Sequence, residues 1–182
     1  SGQQVLAKVK FCGMTRPQDA ALASEIGASY IGVVFADGPR RVTPTQARTI
    51  LDAAGGKAKR VGVFGTNVPD EIARFSEEAR LDVVQLHADP TTADVSAVRT
   101  KFNGEVWAAI RIAGAHIPSA AEALFDAADA VVLSVVGLRK SYGDNEVVRG
   151  LDAPLQVLRQ RAGAGRRADY RRARRQYPGQ TC

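Results

Sequence analysis

A few residues able to move protons or hold anions stand at the ends of short apolar runs in this 182-residue chain. Cys12 and Gly13 follow Val9-Lys10-Phe11, Asp37-Gly38-Pro39-Arg40-Arg41 follows a second run, and Gly65-Thr66-Asn67 a third. Gln85-Leu86-His87 closes a fourth, Arg111 a fifth and Ser134 a sixth. A cysteine that has lost its proton is a nucleophile or a base, an imidazole holds or passes a proton, and guanidinium groups fit carboxylates and phosphates. Each also has an ordinary structural reading. A cysteine at a strand end is often a small buried hydrophobe, His87 beside Gln85 suits a satisfied rim histidine, and Arg40-Arg41 suits a solvated pair. Taken singly they decide nothing, so the elements that position them matter.

From residue 1 to 133 one pattern recurs: a β-branched run, a break rich in Gly, Pro or Asn, then an Ala-rich stretch with helical spacing. Strands are predicted at Leu6–Cys12, Tyr30–Phe35, Arg60–Phe64, Val83–Leu86, Val106–Ile110 and Ala130–Leu133. Helices are predicted at Pro17–Ile26, Pro44–Ala54, Pro69–Ala79, Thr92–Phe102 and Pro118–Phe125, with Thr15, Thr43, Asn67 and Thr91 as caps. The strands are continuously apolar, as in a parallel sheet buried on both faces, so the fold class is α/β. An open doubly wound sheet and a (β/α)8 barrel share this alternation. No G-x-G-x-x-G follows the first strand, which disfavours dinucleotide binding. In either architecture the groups above collect at the C-terminal strand ends, where parallel α/β proteins do their chemistry.

Charge divides the chain in two. The net charge of +6 is the sum of −1 over residues 1–133 and +7 over residues 134–182. The pI near 9.7 therefore reflects an Arg-rich tail and not a basic domain. With 45% hydrophobic residues the chain can bury a core, which excludes wholesale disorder. No apolar run is long enough for a membrane span, and two cysteines, Cys12 and Cys182, make no disulfide framework, so a cytoplasmic protein is expected. Past Leu133 the regularity fails: Leu151, Leu155 and Leu158 have some helical spacing, Gly163–Gln180 has no apolar stripe, and no further parallel strand is recognisable.

Val9-Lys10-Phe11-Cys12-Gly13-Met14-Thr15, Gly38-Pro39-Arg40-Arg41-Val42-Thr43, Arg60-Val61-Gly62-Val63-Phe64 and Leu81-Asp82-Val83-Val84-Gln85-Leu86-His87 occur in that order, one per βα unit. In this combination the chain resembles phosphoribosylanthranilate isomerase of tryptophan biosynthesis, over about residues 5–133. The resemblance implies a (β/α)8 TIM barrel and an Amadori rearrangement of N-(5-phosphoribosyl)anthranilate, a phosphorylated small molecule, with no cofactor or metal. It implies that Cys12 is the general base, that Arg40 lies over the anthranilate carboxylate, and that His87, with Gln85 in the same segment, positions the substrate. Another phosphate-binding barrel isomerase is the nearest other enzyme, and the pairing of the Cys12 motif with Gln85–His87 argues against it.

The resemblance breaks at the sixth strand. The family ends that strand in an aspartate, the general acid, where Val131-Val132-Leu133 here runs into Ser134. A serine hydroxyl is far too weak an acid to replace it, and Asp129 belongs at the opposite end of the strand. The family's Gly-rich phosphate loops are not found in residues 134–182. Back-translated and read one nucleotide later, Ala164–Tyr170 permits Leu-Ala-Gly-Gly-Leu-Thr, the family's seventh-strand motif. Residues 134–182 are accordingly read as a frame-shifted or disordered extension, and the isomerase as impaired. The alternative is a non-enzymatic partial barrel whose Arg pairs and Tyr170 and Tyr177 bind nucleic acid.

Overall fold

The computed structural model describes residues 8–113, 119–136, 138–142, 145–151 and 155–160. Six strands pair in parallel in strict chain order: β1 (Lys10–Cys12), β2 (Tyr30–Val34), β3 (Lys59–Phe64), β4 (Val83–Leu86), β5 (Glu105–Ala113) and β6 (Ala130–Val136). A doubly wound sheet reverses its strand order at a switch point, and none occurs here, so the winding is that of a (β/α) barrel. Side chains that touch across non-adjacent strands show the sheet to be curled. Tyr30 on β2 and Trp107 on β5 meet edge to face with ring centroids 4.8 Å apart, and Lys59 on β3 pairs with Glu105 on β5. The architecture is a parallel half-barrel.

Alternation within each strand builds two cores. Ile31, Val33, Phe64, Val84, Leu86, Ala108, Ile110 and Val131 point outward under the helices, whereas Tyr30, Val61, Val83, Trp107, Ala109, Ala130 and Val132 fill the concave side. This double burial is why the strands read as unbroken apolar runs.

Helices α1 (Pro17–Glu25), α2 (Pro44–Asp52), α3 (Pro69–Ala79) and α4 (Thr92–Arg99) cross over between the strands. Capping boxes close two of them, Thr43 with Gln46 and Thr91 with Asp94. Thr15 and Asn67 are not caps. Pro17 and Pro69 at the first helical position make Arg16 and Val68 the capping residues, and Asn67 Nδ2 instead donates to the Ala88 carbonyl at 3.0 Å. The single helix expected at Pro118–Phe125 is two short turns, α5 (Ser119–Glu122) and α6 (Leu124–Ala127), while Pro118 lies outside the described residues.

After β6 the chain does hold strands, which the sequence reading missed. β7 (Leu138–Tyr142) and β8 (Asn145–Leu151) form an antiparallel pair, and β9 (Leu155–Gln160) runs antiparallel along β6. The leucine spacing that suggested a helix belongs to strands. A short apolar run is ambiguous by period alone, and β9 takes up backbone groups that the edge of β6 would leave unpaired. A seventh parallel strand does not follow β6 among the described residues. Residues 161–182, with the Arg pairs, Tyr170, Tyr177, Cys182 and the Ala164–Tyr170 segment, lie outside them. No described helix is long and apolar enough to cross a membrane.

The N-terminal ends of the strands are closed by carboxylates with structural work. Asp129 Oδ2 accepts from the Val106 N–H and from Arg99 Nη2, both at 2.8 Å, and Asp82 Oδ2 accepts from the Arg60 N–H at 2.8 Å. Asp129 thus stands at the end opposite Ser134, as its place in the sequence requires.

Candidate active site

Lys10 and Cys12 are two residues apart on β1 and therefore share the concave face. Gly32, opposite Cys12 on β2, leaves the room they occupy: a Cβ there would lie 3.1 Å from Cys12 Sγ and 3.3 Å from Lys10 Cε. Lys10 Nζ reaches across the half-barrel to Gln85 Oε1 at 2.5 Å and sits 5.7 Å from the centre of the Trp107 ring. Burial pulls the Lys10 ammonium below the ordinary lysine range, and its attraction to and hydrogen bond with Cys12 act in the opposite direction.

Arg40 joins them from the loop after β2. Gly13 has a φ of +80°, and a Cβ there would come within 2.9 Å of Arg40 Nη1 and 3.1 Å of its Cδ, so the arginine lies directly on the residue after Cys12. Arg41 turns away to Asp37 at 2.5 Å, an exposed pair. The Val42 N–H bonds the Val34 carbonyl at 3.0 Å and Thr43 caps α2, so the loop is held on both sides of the arginines.

Gln85 is wholly buried on β4, its Oε1 taken by Lys10 and its Nε2 without a partner among the described residues. His87 continues the ladder one residue past β4, its N–H donating to the Phe64 carbonyl at 2.9 Å, and its buried Nδ1 is likewise unpartnered. Burial, reinforced by Arg111 and Lys10 and opposed by Asp89, pushes the His87 pKa down, so the imidazole is neutral at neutral pH. Two polar atoms left open on one concave wall are groups a ligand would satisfy.

Ser134 is buried on β6, in register with Arg111 on β5, whose Nε stands 3.9 Å from Asp89 Oδ1. Thus Cys12, Arg40, Gln85 and His87 all fall at the C-terminal mouth, with Ser134 and Arg111 on its far wall. A cavity of about 370 Å³ lined by Thr15, Pro39, Arg41 and Gln46 lies beside this mouth and excludes Cys12. Lys10 and Trp107 were not legible as site residues in the sequence. The signal for Lys10 was its position two residues before Cys12, which puts both on one face.

The family model for N-(5'-phosphoribosyl)anthranilate (PRA) isomerase matches residues 9–137. The chain belongs to the PRA isomerase family. It is 34% identical over 138 residues to N-(5'-phosphoribosyl)anthranilate isomerase of Bacillus velezensis, covering 75% of this chain and 63% of that protein. The isomerase of Rubrobacter xylanophilus is 43% identical over 95 residues, covering 52% of this chain and 46% of its own. Among solved structures, the PRA isomerase of Thermus thermophilus superposes with a TM-score of 0.62 at 40% identity, over 70% of this chain and 62% of that one. That of Thermotoga maritima gives 0.63 at 25% identity, over 77% and 66%. This chain therefore spans about two thirds or less of the length of these four PRA isomerases. A further PRA isomerase structure, TM-score 0.59 at 25% identity over 74% of this chain and 77% of its own, holds reduced 1-(o-carboxyphenylamino)-1-deoxyribulose 5-phosphate.

Proposed function

We propose that the concave mouth around Cys12 is built for the Amadori rearrangement of N-(5-phosphoribosyl)anthranilate to 1-(2-carboxyphenylamino)-1-deoxyribulose 5-phosphate, and that this polypeptide performs it slowly. The observation that carries the reading is Arg40 lying on Gly13, which sets an anion anchor one residue from a proton acceptor. The reaction first needs a proton on the furanose oxygen, so that the C1′–O bond breaks as the anilino nitrogen forms an iminium. A base then removes the C2′ proton, and the electron pair flows through C1′ into that nitrogen to give an enolamine, which tautomerises to the ketone. Cys12 as thiolate is the base, and Arg40 holds the aryl carboxylate in a charge-assisted pair. The unpartnered Gln85 Nε2 and the neutral His87 offer hydrogen bonds to the sugar.

Among the described residues Ser134 stands where the resemblance puts the family's acid, so the ring-opening step lacks that proton donor. Loss of a general acid typically lowers the rate by about 10²–10⁴. We read residues 134–182 as frame-shifted relative to the family, which accounts together for Ser134, the Arg-rich composition and the latent seventh-strand motif.

Calorimetric titration with the reduced product, 1-(o-carboxyphenylamino)-1-deoxyribulose 5-phosphate, tests the binding half of the reading. Saturable binding that weakens at least about tenfold in Arg40→Met is expected, as for loss of a charge-assisted pair. No binding, or binding indifferent to Arg40→Met, contradicts it. If the same sample instead binds single-stranded DNA with a steep salt dependence, the nucleic-acid reading takes its place.

A further inference from the structure

We infer that Lys10 is a positioning residue for the proton acceptor: its ammonium, fixed from across the half-barrel by Gln85, shares the niche of the Cys12 sulfur and offsets the negative charge that the sulfur bears as the base. The inference rests on the proposed role of Cys12 and adds to it the group that prepares the sulfur. Lys10 Cε and Cys12 Sγ both stand within 3.3 Å of the one empty point over Gly32, so they share a single niche on the concave wall. Lys10 Nζ is held by Gln85 Oε1 at 2.5 Å, and Gln85 is wholly buried with Nε2 still open on the same wall. Trp107 closes the other side, its ring centre 5.7 Å from the nitrogen. Gln85 supplies a neutral acceptor, and a carboxylate there would have neutralised the ammonium. The positive charge is therefore left to the sulfur. Among the described residues, Arg40 beyond Gly13, Arg41 beside it and Arg111 near His87 are further cations around this mouth, and all three are exposed, where solvent weakens their influence. The hydrogen bond and attraction to Cys12, acting on Lys10 against its burial, agree with this pairing. In the reaction the sulfur takes the C2′ proton and becomes a neutral thiol, while Lys10 keeps its three protons, so no proton passes through it.

Alkylation of Cys12 by iodoacetamide at pH 7 reads the thiolate directly and needs no turnover, so it separates failure of this inference from failure of the isomerase reading. In a Cys182→Ser background, which confines labelling to Cys12, Lys10→Met should slow alkylation about tenfold or more, and Lys10→Arg should restore it to within about threefold. Unchanged alkylation in Lys10→Met overturns the inference. So does equal slowing in Lys10→Arg with an intact near-ultraviolet dichroism spectrum, which would mark a packing role only. Should Lys10→Met fail to fold, Cys12→Ser tests the same coupling from the other side. The NMR titration midpoint of 13C-dimethylated Lys10 should fall when the sulfur is removed, and a midpoint that stays put overturns the inference.

Discussion

Lys10 Nζ on β1 lies 2.5 Å from Gln85 Oε1 on β4, across the concave face of a sheet in which β2 and β3 separate the two strands. A flat sheet would hold these strands roughly 14 Å apart at the usual spacing between neighbours. The contact therefore reports at once the curl of the half-barrel and the position of the site, since both residues lie on the concave face that carries Cys12 and Trp107.

Removing Gln85 Oε1 strands the ammonium. Gln85→Leu is expected to lower the stability of the folded chain by about 1–3 kcal/mol, the cost of leaving a buried donor unsatisfied. A drop in the urea midpoint without a change in slope checks it, and an unchanged midpoint contradicts it.

Gly13→Ala should act on Arg40. The φ of +80° disfavours a side chain, and the new Cβ would meet Nη1 at 2.9 Å. About 1 kcal/mol of destabilisation is expected from the backbone. Weaker binding of the reduced product should accompany it, with the Cys12 alkylation rate held to within a few-fold. Loss of alkylation together with binding would mean that the substitution disturbs the whole mouth.

His87 supplies a pH dependence whose sign is set by its environment. Its pKa in the folded chain is depressed, so the unfolded chain takes up the proton first. Stability is fully present above the unfolded value near 6.5 and is lost as pH falls from there through the folded value. His87→Gln should flatten the part of the stability profile below about pH 6.5 that this group contributes. A wild-type and variant difference that does not change across this range would contradict it.

Much of this was legible in the residues themselves. Val83–Leu86 and Pro69–Ala79 fall where apolar pattern and Pro placement put them, because both are strong local signals. Cys12, Arg40, Gln85 and His87 were legible as strand-end chemistry, because parallel topology sends every such end to one mouth. Lys10 was not. A lysine in a strand reads as solvent-facing, and its spacing of two from Cys12 becomes a signal only once Cys12 is known to face the concave side. β9 was hidden for a related reason: its state depends on pairing with β6, a contact remote in sequence, and local spacing carries no trace of it.

The genomic DNA tests the reading of residues 134–182. Read one nucleotide later, it should encode Leu-Ala-Gly-Gly-Leu-Thr across Ala164–Tyr170, which requires an Ala164 codon ending in T. A codon set that forbids the motif would remove the frame-shift account and leave Ser134 as an inherited residue.

The central claim, a half-barrel that carries the base and carboxylate anchor of a PRA isomerase without its acid, is tested most directly by one rate. Consumption of N-(5-phosphoribosyl)anthranilate can be followed by fluorescence beside the Thermus thermophilus relative under the same conditions. The expected kcat/KM is about 10²–10⁴-fold below the relative, and it falls further in Cys12→Ala. Turnover equal to the relative, or turnover that Cys12→Ala leaves unchanged, would contradict the account.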